Sequence, residues 1–146
     1  MLQINRTIDY GVRVMIHLAA HPVGERAICS SLAAAAEVPP SFMAKILRKL
    51  VTAGLITSGR GTGGGFELAR AASKITLLDI VKAIDGPICL NLCMMGAGSC
   101  NRRSWCAAHL VWAEAQQKLE QVLAAATLDK LAKKSFAMRD SLHGVA

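Results

Sequence analysis

Val38-Pro39-Pro40-Ser41-Phe42-Met43-Ala44-Lys45-Ile46-Leu47-Arg48-Lys49-Leu50-Val51-Thr52-Ala53-Gly54-Leu55-Ile56-Thr57-Ser58-Gly59-Arg60-Gly61-Thr62-Gly63-Gly64-Gly65-Phe66-Glu67-Leu68 is the stretch that decides the fold. Pro40 suits the first position of a helix, where its missing N–H costs nothing. Within that helix Phe42, Met43, Ile46, Leu47 and Leu50 form an apolar face, while Ser41, Lys45, Arg48 and Thr52 recur on another. Gly54 closes it, and Leu55-Ile56-Thr57 and Phe66-Glu67-Leu68 read as strands flanking a glycine-rich turn. Upstream, Ser30 or Ser31 is placed to cap a short alanine-rich helix running to about Glu37. Two short helices around a tight turn, the second amphipathic and basic, followed by a hairpin, describe a winged helix-turn-helix. The expected fold is therefore mainly α, with a small two-stranded wing and a long C-terminal dimerisation helix.

The glycine turn also matches G-x-G-x-x-G at Gly59, Gly61 and Gly64. A dinucleotide site needs a helix directly after that motif, so that the helix N-terminus meets the pyrophosphate. A strand-like Phe-Glu-Leu comes next instead, and Arg60 on such a turn suits phosphates or a minor groove. Charge points the same way. The chain has 17 basic and 10 acidic residues, net +7, and the excess concentrates between Pro40 and Lys74, where Lys45, Arg48, Lys49, Arg60, Arg70 and Lys74 face only Glu67. Ser41, Lys45, Arg48, Lys49, Thr52, Arg60 and Thr62 are the candidate contacts to double-stranded promoter DNA. The plainer alternative is a solvated basic face on an ordinary helix pair.

Outward from this stretch, Thr7 to Ala20 has helical spacing, with Asp9 and Arg13 four apart, and ends at His21-Pro22 and Gly24. Ala27 to Cys29 reads as extended, with Cys29 a small buried hydrophobe. Thr76 to Ile84 forms a compact helix ended by Gly86-Pro87. From about Ser104 to Ala126 a long helix carries Ala108, Val111, Trp112, Ala115, Leu119, Val122 and Leu123 on one side, a stripe most simply buried in a homodimer. Thr127 caps a last helix, Leu128 to Phe136, with Lys130, Lys133 and Lys134 toward water and a frayed tail beyond Arg139. The resulting division is residues 1–86 as DNA-binding domain, 87–106 as cysteine loop, 104–136 as dimerisation helix with its short C-terminal helix, and 137–146 as tail.

Cys89, Cys93, Cys100 and Cys106, with His109 just beyond, hold four of the five cysteines. Thiolates are soft ligands for iron-sulfur clusters or zinc, and an odd total in a reducing compartment argues against a disulfide framework. Arg102 and Arg103 beside them favour thiolates and offset cluster charge. No run of eighteen uncharged apolar residues occurs and Arg6, Asp9 and Arg13 interrupt the N-terminus, so a cytoplasmic protein without membrane association is expected. A structural zinc site is a rival, although no paired C-x(2)-C knuckle is present. An iron-sulfur electron-transfer or carrier protein is another, but it leaves the basic helix and wing without a purpose. No nucleophile-base-acid constellation points to an enzyme.

Taken in order, Thr7-Ile-Asp-Tyr-Gly-Val-Arg13, Val38-Pro39 with Lys45-Ile-Leu47, Gly54-Leu55, Arg60-Gly61 with Gly64-Gly65, Ile75-Thr76-Leu77 and the cysteine loop resemble the Rrf-two family of bacterial regulators, from Met1 to about Lys134. The resemblance implies a homodimeric winged-helix transcription factor, a repressor, whose iron-sulfur cluster state controls DNA binding in response to redox, nitric oxide or iron supply. Cys100-x(5)-Cys106-x(2)-His109 matches the spacing of cluster-binding members. Cys93 is then the third ligand, with a gap to Cys100 one residue longer than the pattern. The fourth has three candidates. His109 favours a 2Fe-2S cluster, the partner subunit's Asp9 would complete a 4Fe-4S cluster, and Cys89 would make the site all-thiolate, unless it is instead the true first ligand or stands by unused.

Overall fold

The computed structural model describes residues 4–22 and 24–143. Its elements run α1 (Arg6–Ala19), α2 (Cys29–Ala35), α3 (Pro40–Thr52), β1 (Ile56–Gly59), β2 (Gly65–Leu68), α4 (Leu77–Asp85), α5 (Ala107–Ala125) and α6 (Leu128–His143), with 3-10 turns at Ala72–Lys74 and Leu92–Met94. This is the expected mainly helical winged helix-turn-helix. Pro40 opens α3. The helix closes where Gly54, at φ 68°, donates its N–H to Val51 O at 2.9 Å and Leu55 donates to Leu50 O at 3.0 Å. That pair is a Schellman motif, and only a residue tolerant of left-handed φ makes it without strain.

The wing pairs antiparallel in the register Ile56↔Leu68 to Gly59↔Gly65. A third piece of backbone joins it, because Ala27 and Phe66 exchange both N–H···O bonds at 2.9 Å. Gly65 sits at φ 135°, and a Cβ there would come within 2.7 Å of Ala27 O, so glycine is required where the three segments meet. Arg26 clamps the same junction through Glu67 at 2.9 Å.

This junction revises the local reading of α2. The helix begins at Cys29 with Ile28 as a cap lacking any side-chain bond, because Leu32 donates to Ile28 O at 3.0 Å directly after the Ala27 bridge; neither Ser30 nor Ser31 caps it. Cys29, at the first helical position, is exposed rather than buried, and Leu32 and Ala33 are the residues that turn inward.

Val14, Met15, Ile46, Leu50, Ile80 and Ile84 are almost fully buried and knit α1, α3 and α4 together. Gly11 lets α1 and α4 touch, since a Cβ at this buried position would overlap Ile84 Cδ1. A capping box holds the start of α4, Thr76 accepting from Asp79 N–H while the Asp79 carboxylate accepts from Thr76 N–H.

The C-terminal segment returns to this core. Leu77 donates to Ala126 O and Leu128 donates to Ile75 O, both at 2.8 Å, and Leu128 and Ala132 are buried. A boundary at residue 86 therefore does not separate the core from the C-terminal half of the chain: α6 belongs to that core. Nor does α6 stop near Phe136. It continues to His143, held by Phe136 packing edge-on to His17 at 5.5 Å with Arg139 over the Phe136 ring at 5.0 Å; of the expected 137–146 tail, residues 137–143 are helical and 144–146 lie outside the described residues. Among the described residues no helix is long and apolar enough to cross a membrane.

Burial, followed by the charges of Arg139 and His21 and against a smaller opposing effect of Glu37, lowers the His17 pKa below its ordinary value. An imidazole that protonates less readily folded than unfolded gives a stability contribution that is intact above its ordinary value of about 6.5 and is lost as pH falls below that, through the lowered folded value. The thermal midpoint should drop between about pH 7 and 5, and His17→Gln should flatten that drop in a pH series of melts.

Candidate functional site

Two clusters of side chains stand out, one on α3 and the wing, the other at the start of α5. On α3, Ser41, Lys45, Arg48 and Thr52 are exposed on the face opposite Met43, Ile46 and Leu50, as helical spacing requires. Arg60 and Thr62 are exposed at the wing tip. Lys49 is the correction to this set. Its Nζ donates to the carbonyl of Ile84 at the end of α4, so it braces the recognition helix from behind rather than facing outward with Lys45 and Arg48. The cause is position: Lys49 lies on the border of the apolar face, where α4 ends against it, and a carbonyl left free at a helix C-terminus attracts a cation.

The second cluster forms because Gly86, at φ 86°, turns the chain out of α4 and the following loop folds back onto α5. Cys93 lies in the 3-10 turn Leu92–Met94, Cys106 is the N-cap of α5 and His109 is one turn further along. Cys93, Cys100, Cys106 and His109 line one cavity of about 330 Å³, with Trp112 on its wall. His109 is the one buried residue among those of α5, 8% exposed. Its Nδ1 is 3.4 Å from Cys93 Sγ, and Arg103 Nε donates to its Nε2 at 3.2 Å. Arg102 instead lies over the Trp105 ring at 5.6 Å.

Cys89 is not part of this cavity. Its exposed thiol donates to Asn91 O at 3.0 Å, and it lines a separate groove with Ile4, Ile8, Leu119 and Leu123. Asp9 lies on the outer side of α1, 2.8 Å from Arg13. Among the described residues no three His, Cys, Asp or Glu side chains stand close enough to hold a single metal ion. Thiolates and an imidazole are donors of the kind that hold iron-sulfur clusters or zinc. Sequence alone sets Arg103 beside the ligands, but its contact with His109 is not legible there, because it depends on how the loop folds back.

An exposed basic helix, a wing and a cysteine-lined cavity at the foot of a long helix define a winged-helix protein. Residues 4–134 match the Rrf2 family, described as an iron-dependent transcriptional regulator, and the chain belongs to that family. Relatives include protein aau3 of Rhizobium meliloti, 32% identical over 90% of this chain and 86% of its own length. The regulator IscR of Vibrio campbellii is 27% identical over 85% of this chain and 73% of its own. Helix-turn-helix regulators of Mycobacterium tuberculosis are 39% identical, but the match spans only 54% of their length. Among solved structures, CymR of B. subtilis, described as the global cysteine regulator, superposes with TM-score 0.73 at 25% identity over 92% of this chain and 98% of its own. IscR of T. potens gives the same score and identity over 92% and 88%. The IscR and CymR relatives are named as regulators.

The different surroundings of the three α3 cations yield a direct expectation. Lys49→Met should cost about 1–3 kcal/mol in urea unfolding, as for a lost bond from a charged donor. Lys45→Ala and Arg48→Ala should stay within about 0.5 kcal/mol, as exposed substitutions do; equal costs for all three would remove the distinction.

Proposed function

We propose that the protein is a cytoplasmic, homodimeric repressor that binds double-stranded promoter DNA and is controlled by an iron-sulfur cluster, 2Fe-2S in type, on Cys93, Cys100, Cys106 and His109. The convergence of these four side chains on one cavity carries the reading. Bound there, a cluster supplies iron-thiolate bonds sensitive to oxidation, nitric oxide and iron shortage. Cys106 and His109 stand on the first turn of α5, so any shift of the loop acts directly on that helix. Lys82 of α4 pairs with Glu120 of α5 at 3.2 Å, and Lys49 of α3 holds the end of α4, a contiguous set of contacts reaching the recognition helix.

Leu110, Val111 and Val122 are 70%, 64% and 68% exposed on α5, apolar surface of the kind that a partner covers. A second copy covering them would set two α3 helices for successive major grooves, as helix-turn-helix dimers require. Lys45 and Arg48 would then meet base edges or phosphates, with Ser41 and Thr52 flanking them and Arg60 and Thr62 beside the backbone. The partner subunit's Asp9 remains the route to a 4Fe-4S cluster, at the cost of opening its pair with Arg13. The thiol of Cys89 faces away from the cavity, which argues against an all-thiolate site.

The second reading is a winged-helix regulator that works without a cluster. It draws on the wide spacing of the donors and on the structural likeness to a cysteine regulator. Anaerobic reconstitution with iron and sulfide separates the two. The wild type and Cys89→Ala should gain visible absorption that a Cys93→Ala, Cys100→Ala, Cys106→Ala variant lacks; a colourless wild type selects the second reading.

In DNA titrations, Lys45→Ala or Arg48→Ala should weaken binding by about 1–3 kcal/mol where the contact is to a base, relaxing sequence preference. Where it is to phosphate, the salt slope should fall by about 1 instead. Unchanged affinity in both variants would place the interface elsewhere.

A further inference from the structure

His109 has both ring nitrogens engaged: Arg103 Nε donates to Nε2 at 3.2 Å, and Nδ1 faces Cys93 Sγ at 3.4 Å. A guanidinium has donors and no acceptor, and a neutral imidazole has one acceptor nitrogen. With the ring neutral, Nε2 is the nitrogen that accepts from Arg103, which places the ring proton on Nδ1, toward the Cys93 sulfur. From this we infer that Arg103 is a latch on the cluster-free site, competing with iron for His109; the inference rests on the proposed ligand role of that histidine.

The competition arises from hydrogen-bond valence whichever nitrogen binds iron. Ligation through Nε2 uses the lone pair that Arg103 occupies. Ligation through Nδ1 moves the ring proton from Nδ1 to Nε2, with no net proton gained or lost, and Arg103 would then aim an N–H at an N–H. Both routes require the Arg103 bond to break. Neutral imidazole ligands normally donate their second N–H to an acceptor, a service a guanidinium cannot perform.

The geometry gives the latch access. Arg103 is exposed while His109 is buried, so the guanidinium reaches the ring from the solvent side and can swing away without disturbing the core. Its backbone stays tied to the loop through a 3.4 Å bond from Arg103 N–H to Cys100 O, which keeps the side chain near the cavity after release.

Two measurements test this. In cluster-free protein, nitrogen-proton correlation spectra should show His109 with a bare Nε2 in the wild type and a proton returning to Nε2 in Arg103→Met. A wild type already protonated at Nε2 overturns the latch, whatever the fate of the cluster. In protein loaded with iron and sulfide, Arg103→Met should slow cluster loss to an iron chelator by about tenfold, the size of one charge-assisted hydrogen bond. The same substitution in a His109→Ala background should change nothing. An equal effect in both backgrounds, or none in either, overturns the competition. A colourless wild type instead overturns the cluster reading, and with it the competition, while the spectra of the cluster-free protein still report the Arg103 contact.

Discussion

Ile84 is the point on which the structure turns. Its side chain fills the space that Gly11 leaves open on α1, and its carbonyl, at the C-terminal end of α4, accepts the bond from Lys49 of α3. One residue thus ties the first helix, the recognition helix and the helix that leads into the cysteine loop. The tie is steric on one side and electrostatic on the other: a close-packed buried isoleucine cannot move without disturbing its neighbours, and the half-buried Lys49 donates to its carbonyl. Two residues further on, Gly86 releases the chain toward Cys93. The start of the loop is thus anchored to α3.

The cysteine cavity depends on that anchor and on the start of α5. Cys106 takes the N-cap position and His109 comes one turn later, so two of the four donors are set by helix geometry. The other two, Cys93 and Cys100, arrive on a loop. Half of the cavity wall thus stands on a helix and half on a loop, and the loop half can rearrange without unfolding the helix. The uncovered leucine and valine side chains of α5 lie beyond this foot, in line with the same helix.

Much of this is legible in the order of the residues. Pro40 as a helix start, Gly54 as its end and the alternation of Lys45 and Arg48 with Ile46, Leu47 and Leu50 are local signals, and local signals hold when propensity, periodicity and turn chemistry agree. The crowding of Cys89, Cys93, Cys100, Cys106 and His109 into one short segment is legible from spacing; which of them share a cavity is not. Lys49 departs from its expected place because charge alone does not say which side of a helix border a lysine chooses. Cys29 departs from its own because apolarity alone does not say where a helix begins, and the Ala27–Phe66 bridge, which decides it, joins residues far apart in sequence. The full length of α6 is hidden for a similar reason: no cap or breaker stands at Phe136, and what holds the last turns is the long-range packing of Phe136 on His17.

By itself, then, the sequence determined the winged helix-turn-helix, the basic character of α3 and the crowding of cysteines ahead of α5, because each rests on residues within a turn or a loop of one another. Tertiary structure decided which cations face outward, that the C-terminal helix completes the core, that Cys89 stands apart from its neighbours, and that Arg103 reaches His109. Those outcomes depend on where separate elements meet, and the energy that selects them, burial and the pairing of polar groups, exists only once the chain has closed on itself.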